Sequence, residues 1–264
     1  MDETLLRRLR ATVASGQPAV LATVVASPPG GPPLGEKFLL VAGGVPPAAG
    51  WRQAVYTTAR DLLGGSGPRV VVVDDAGELR SDLPAGEGVR VYLEPYTAAP
   101  ALVICGAGHI GRELAALGTR LGFAVTVLDD RPDYAHPRHF PAGVRVVSAP
   151  WTAAVAMIPD GPGTSLVLVT RGHSHDSEVL RAVAGRPLGY VGMIGSRRRV
   201  ATVRSLLLAE GVPAEWLDRV RAPIGLDIGA ETPAEIALAI AAEVIAARRG
   251  GTGLPLAATR EGRP

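Results

Sequence analysis

Residues 101–131 constrain the fold more than any other stretch. An apolar run, Ala101 to Ile104, meets Gly106-x-Gly108-x-x-Gly111. A helical pattern follows through Leu114, Ala115, Leu117 and Leu121, and a second apolar run, Ala124 to Leu128, ends in Asp129. Strand, glycine turn, helix, strand and acid in that order spell a βαβ mononucleotide unit. The first glycine permits a tight turn, the second lets a pyrophosphate approach the backbone, and the third packs helix on strand, with phosphate held at the helix N-terminus. Asp129 stands about 20 residues beyond the turn, where a carboxylate accepts hydrogen bonds from a ribose. The competing reading is an ordinary strand-to-helix turn whose glycines serve packing alone. The flanking strand, helix and acid favour the nucleotide unit.

Strand and helix patterns alternate from Ala101 onward, which predicts a Rossmann-like, doubly wound parallel sheet of the α/β class. Val144 to Val147, Ser165 to Thr170 and Leu188 to Ile194 read as strands. Helical patterns run from Thr152 to Ile158, through Val179, Leu180 and Val183, and from the Ser196 region to Glu210. A last long helix opens on Thr232-Pro233-Ala234-Glu235, a capping box with proline at the first helical position, and ends at Gly250. Before this domain the chain reads as a helix (3–14), strands from Ala19, Phe38, Val70 and Val89, and a helix from Trp51 to Leu63. This gives a smaller N-terminal α+β domain over residues 1–95 without a legible chemical motif. Pro95 to Pro100 is the expected linker, 96–250 the cofactor-binding domain, and 251–264 a disordered tail.

At 264 residues the chain is long enough for two modest cores. A formal net charge of +2 carries no general nucleic-acid or membrane signature. Cys105 is the single cysteine, so no intrachain disulfide forms and a reducing, cytoplasmic setting is expected. Its place inside a strand suits a small apolar filler better than a nucleophile. The N-terminal residues lack a signal-peptide pattern, and no segment reaches about 18 uninterrupted apolar residues.

In a parallel sheet, ligands gather outside the carboxyl ends of the strands. Three loops following strands are therefore expected at one crevice. The first holds Gly106, Ala107, Gly108, His109, Ile110 and Gly111; the second Arg171, Gly172, His173, His175 and Asp176; the third Gly195, Ser196, Arg197 and Arg198. Asp129, Asp130 and Arg131 follow the second strand. Arg197, Arg198 and Arg199 crowd positive charge onto a helix start that already carries about half a positive charge. This tension points to an anion site, while splaying of the side chains into solvent is the alternative. Arg131 reads equally as a surface charge or a nucleotide contact. His109, His173, His175 and Asp176 are compatible with a divalent metal or with a loop that caps the following helix, and no metal site is assigned.

Five segments resemble one family. Val-Ile-Cys-Gly-Ala-Gly-His-Ile-Gly, Val-Leu-Asp-Asp-Arg-Pro, Thr-Arg-Gly-His-Ser-His-Asp, Gly-Met-Ile-Gly-Ser-Arg-Arg and Pro-Ile-Gly-Leu-Asp-Ile-Gly-Ala-Glu-Thr-Pro-Ala-Glu-Ile-Ala occur in order between about Pro95 and Arg249. They are similar to the XdhC/CoxI family, accessory factors of xanthine dehydrogenase and related molybdenum hydroxylases. The resemblance implies a non-catalytic chaperone that binds molybdenum cofactor, as molybdopterin or its dinucleotide form, shields it during sulfuration and delivers it to an apo-hydroxylase. A sulfurtransferase and a second copy of the chain are further partners to consider. Gly106, Gly108 and Gly111 would then give backbone approach, Asp129 would hold a ribose or pterin group, and Arg197 and Arg198 would hold phosphate. An NAD(P)-dependent oxidoreductase with His173 or His175 as proton donor is the second reading. Family members carry an N-terminal Gly-Gly-Cys-φ-Glu segment, whereas Gly43-Gly44-Val45-Pro46 here has neither thiol nor acid. That departure bears on sulfuration and leaves ligand binding intact.

Overall fold

The computed structural model describes residues 3–15, 17–41, 43–45, 50–63, 67–84, 86–96 and 99–258. The chain divides into two compact units, residues 1–98 and 99–264.

The first unit contains α1 (Glu3–Ala14), β1 (Ala19–Ala26), β2 (Lys37–Val41), α2 (Trp51–Leu62), β3 (Arg69–Val73), β4 (Leu79–Arg80) and β5 (Val89–Tyr96). Its strands form an antiparallel sheet in the order β2-β1-β5-β3-β4. Alternate residues of β5, Val89, Val91 and Leu93, are buried with Val55, Ala59 and Leu62 of α2, as a sheet covered on one face requires. The linker expected at Pro95–Pro100 begins later, because Pro95 and Tyr96 still pair with Val20 and Ala19. Thr97, Ala98 and Pro46 lie outside the described residues, as does the tail from 259. Gly43, Gly44 and Val45 are described; Tyr56 donates its hydroxyl to the Gly44 carbonyl, and Val45 is exposed.

The second unit contains β6 (Ala101–Cys105), α3 (His109–Arg120), β7 (Ala124–Asp129), β8 (Arg145–Ser148), α4 (Trp151–Ala154), β9 (Gly161–Leu168), α5 (His173–Val183), β10 (Leu188–Met193), α6 (Arg197–Ala209), α7 (Ala214–Leu217) and α8 (Pro233–Arg249). All strand pairs are parallel and the order is β10-β9-β6-β7-β8. Both faces are covered, and strand residues alternate between them. Val103 and Cys105 face the core beneath α4, α5 and α6, whereas Leu102 and Ile104 face the core beneath α3 and α8. Residues 221–224 run on beside β10, with the Arg221 N–H on the Val191 carbonyl (2.9 Å) and the Ile224 N–H on the Met193 carbonyl (3.1 Å). The α8 N-terminus is the capping box read from Thr232 and Glu235, and Gly250 closes the helix in the left-handed conformation.

The strand order reverses between β6 and β9, the point where a doubly wound sheet opens a ligand crevice. Two boundaries differ from expectation near it. β9 starts at Gly161 and stops at Leu168, so Thr170 is outside the ladder. α5 starts at His173, which puts His173, Ser174, His175 and Asp176 in a helical first turn instead of a loop.

Candidate cofactor-binding crevice

The glycine turn is built by contacts that separate its three glycines. Gly106 has φ +123°, and a Cβ there would sit 2.4 Å from the Val169 carbonyl oxygen. A Cβ on Gly111 would lie 1.9 Å from the Gly106 oxygen. Both positions are demanded by backbone packing. Gly108 has an ordinary φ of −72°, and a Cβ there would meet nothing within 4 Å. The protein fold itself therefore does not require glycine at 108; the space above it is open. Gly108 is the N-cap of α3 with no side-chain capping bond, and Gly172 is likewise the uncapped start of α5. These two helices leave first-turn N–H groups and dipole ends at the carboxyl edge of the sheet. The third, α6, caps itself, because Ser196 Oγ accepts from the Arg199 N–H at 3.2 Å.

Asp129 is 1% exposed at the end of β7. Its carboxylate accepts from the Ala107 N–H (2.7 Å), the Arg131 N–H (3.0 Å), and Arg131 Nε and Nη2 (2.8 and 2.9 Å). Four donors occupy the lone-pair positions of one carboxylate. Burial alone would raise its pKa, but the bonds from Arg131 and Ala107 outweigh it and hold the group below the usual carboxylate range. Asp129 thus braces the glycine turn against β7, and the place expected for a ribose hydroxyl is filled by the chain's own donors. Arg131, spent on Asp129, stacks on Tyr134 with its guanidinium carbon 3.7 Å from the ring centroid.

Two further arginine–aspartate pairs tie the loops together. Arg171 Nη2 lies 3.2 Å from Asp130 Oδ2, joining the segment after β9 to the end of β7. Arg199 reaches from α6 to Asp176 in α5, which is fully buried and also accepts from Thr170 Oγ1 at 2.6 Å. Burial pushes the Asp176 carboxyl up, against the pull of the Thr170 and Arg199 bonds. Gly195 makes room for this arginine: a Cβ there would meet the Arg199 side chain at 3.1 Å.

Of the expected site residues, the structure gathers the glycine turn, residues 129–131 and residues 171–176 at one rim. Ile110 packs into the α3-side core, and His109 is exposed. The His173 side chain lies outside the described residues. Arg197 and Arg198 are both exposed and have no ion-pair partner among the described residues, while Arg199 turns inward. The signal was present, since Val203 and Leu207 are buried on α6 and one further step of four back along that face reaches Arg199. His175 is half-buried beside Trp151, ring centroids 5.9 Å apart. Trp151 Nε1 is the one buried side-chain polar atom without a partner among the described residues. Those residues hold no group of three or more His, Cys, Asp or Glu disposed to bind a metal. Burial raises the Cys105 thiol pKa, with Asp176 and Asp129 adding to the rise, so it rests as an inert core thiol.

A parallel sheet with a glycine turn at its switch point and uncapped helices on both sides of it is the crevice of a Rossmann-type protein. The XdhC Rossmann domain model matches residues 102–244. The chain belongs to the XdhC family. YqeB, an uncharacterised protein of Escherichia coli K12, is 32% identical over 169 residues, covering 64% of this chain and 31% of YqeB. A Bacillus subtilis protein described as a probable xanthine dehydrogenase subunit is 30% identical over 160 residues, covering 61% of this chain and 46% of that protein. The chain therefore spans less than half the length of these curated relatives. A crystal structure described as a xanthine dehydrogenase from Bacillus halodurans superposes with a TM-score of 0.56 at 20% identity, covering 92% of this chain and 93% of the other, and shares its fold. Among the described residues no helix is long and apolar enough to cross a membrane.

Proposed function

We propose that this protein is a maturation factor for a molybdenum hydroxylase, which holds the phosphorylated pterin cofactor as cargo in the switch-point crevice and hands it to the apo-enzyme. Family membership and the xanthine dehydrogenase names of two relatives support the class of partner. The open space over Gly108, at a position where the fold tolerates a side chain, carries the binding reading. The chain's groups suit such cargo. First-turn N–H groups of α3 and α5 offer donors to acceptor atoms of the cargo. Delivery of intact cargo needs no nucleophile, in keeping with a buried Cys105. The oxidoreductase reading loses its ribose acceptor, because Asp129 is filled.

Purification of the full chain from a molybdate-supplied host, followed by metal and pterin analysis, tests this reading. The wild-type protein should carry pterin and molybdenum and restore activity to an apo-hydroxylase. Gly108→Val should keep its circular dichroism and melting temperature yet lose the cargo. A folded Gly108→Val protein that loads and delivers normally would overturn the proposal.

A further inference from the structure

We propose that the loop after β7, together with α3, forms a second anion subsite that takes a phosphomonoester, distinct from the glycine turn. Arg112 is anchored by donation from Nε to the Ala107 carbonyl at 3.3 Å, and its Nη2 lies 3.0 Å from His139 Nδ1. On the other side of the same ring, Arg138 Nε lies 3.1 Å from His139 Nε2. A neutral imidazole has one N–H and one lone pair, so it accepts from only one of these guanidiniums. The Tyr134 carbonyl, 3.3 Å from Nδ1, favours the proton there and leaves Arg112 Nη2 facing an N–H. A protonated ring faces both arginines with donors. In every protonation state at least one N–H opposes another, a mismatch that an acceptor bound between them would relieve.

Counter-charge is missing as well. Asp129 is taken by Arg131 and Asp130 by Arg171. Among the described residues no carboxylate lies within ion-pair distance of Arg112 or Arg138. Tyr134 is flanked by Arg131 at 3.7 Å and Arg112 at 5.9 Å from its ring centroid, and the His136 ring stands 6.1 Å from that of His139. Arg112 and Arg131 thus flank Tyr134 while Arg138 and His136 stand beside His139, and Arg112 and Arg138 have no carboxylate within ion-pair distance among the described residues. A phosphomonoester brings close to two negative charges and three strong acceptor oxygens, the complement of this array. The position fits too. The loop after the acid-ending strand lies where a Rossmann crevice meets the ribose side of a dinucleotide, and an arginine there accommodates a ribose phosphate. Asp129, already saturated, does not select a free ribose.

This inference rests on the crevice proposed above and narrows its ligand to one bearing a phosphomonoester at the 131–139 loop. A ribose 2′-phosphate and the terminal phosphate of a pterin share that chemistry. Calorimetric titration of the full chain with NADP⁺, NAD⁺ and inorganic phosphate, alongside cargo analysis, tests it in wild type, Arg138→Ala and Gly108→Val. Arg138 is exposed, so its loss should leave the fold intact. If the source is a 2′-phosphate, wild type should prefer NADP⁺ over NAD⁺ by tenfold or more, and Arg138→Ala should shrink that preference to within about twofold. If the source is pterin phosphate, the two dinucleotides should bind alike, inorganic phosphate should displace cargo, and Arg138→Ala should lower the cargo load severalfold. Arg138→Ala indistinguishable from wild type in all arms overturns the subsite, while loss of cargo in Gly108→Val keeps the crevice. Normal cargo in Gly108→Val with loss in Arg138→Ala would instead overturn the crevice and keep the subsite.

Discussion

Arg199 in the first turn of α6 grips Asp176 in the first turn of α5, and the carboxylate it holds is sealed from solvent. Removing one partner of such a pair strands a buried charge, which costs about 3–5 kcal/mol. Arg199→Ala should lower the unfolding free energy in urea by about that amount, and Arg199→Lys should recover only part of it, because an ammonium lacks the fork that reaches both Asp176 and Thr170. A loss under about 1 kcal/mol for Arg199→Ala, the scale of an exposed pair, would mean that this one does not hold the two helices.

The three glycines of the turn should separate in mutagenesis. Gly106→Ala and Gly111→Ala force a Cβ into backbone oxygens at 2.4 and 1.9 Å, and Gly106 adds left-handed strain of about 1–3 kcal/mol. Both should melt far below wild type. Gly108→Ala should melt within a few degrees of it, and equal damage at all three positions would contradict the geometry.

Glu243 of α8 accepts from the Tyr190 hydroxyl at 2.8 Å and from the Gly225 N–H at 2.7 Å, so one carboxylate oxygen fastens β10, α8 and the segment before it. Glu243→Ala leaves the buried tyrosine hydroxyl unpaired and should cost about 2 kcal/mol. Tyr190→Phe should cost about 1 kcal/mol, and the double variant less than the sum, since both remove one interaction. Additive losses in chemical denaturation would show that the two groups act independently.

Acid should loosen the glycine turn through Asp129. Its pKa is lowered in the folded state, so the stability it contributes is present above the unfolded value of about 4 and is lost as pH falls through the folded one. Asp176 has the opposite sign: its raised pKa makes its contribution complete below about pH 4 and lost as pH rises through the folded value. Melting curves against pH should therefore show a flatter acid limb in Asp129→Asn and a flatter limb above about pH 4 in Asp176→Asn. A parallel displacement of both curves would refute the assignment.

The strand, turn and helix around Gly106 were legible because each signal is local: the apolar runs, the glycine spacing and the capping box at Thr232 all act over a few residues. Alternation along β7 also carried Asp129 to the α3 side, in step with Val125 and Val127. Its partner was not legible, since the bidentate hold by Arg131 depends on the path of the chain after Asp130. Among the three arginines, charge alone could not choose; helix phase could, and it selects Arg199. The meeting of Arg112, Arg138 and His139 joins a helix to a loop 27 residues away, a separation over which no periodic signal extends. β4, two residues long, and α7, of four, are too short for any pattern to accumulate.

The segment beside β10 has a bearing on how other molecules attach. By taking the outward hydrogen bonds of Val191 and Met193, residues 221–224 cap that margin of the sheet with the chain's own backbone. An extended peptide cannot add itself there as another strand without first peeling this segment away. Any protein docking on this side must be recognised through side chains and loops, so selectivity there is written in surface chemistry and not in main-chain pairing.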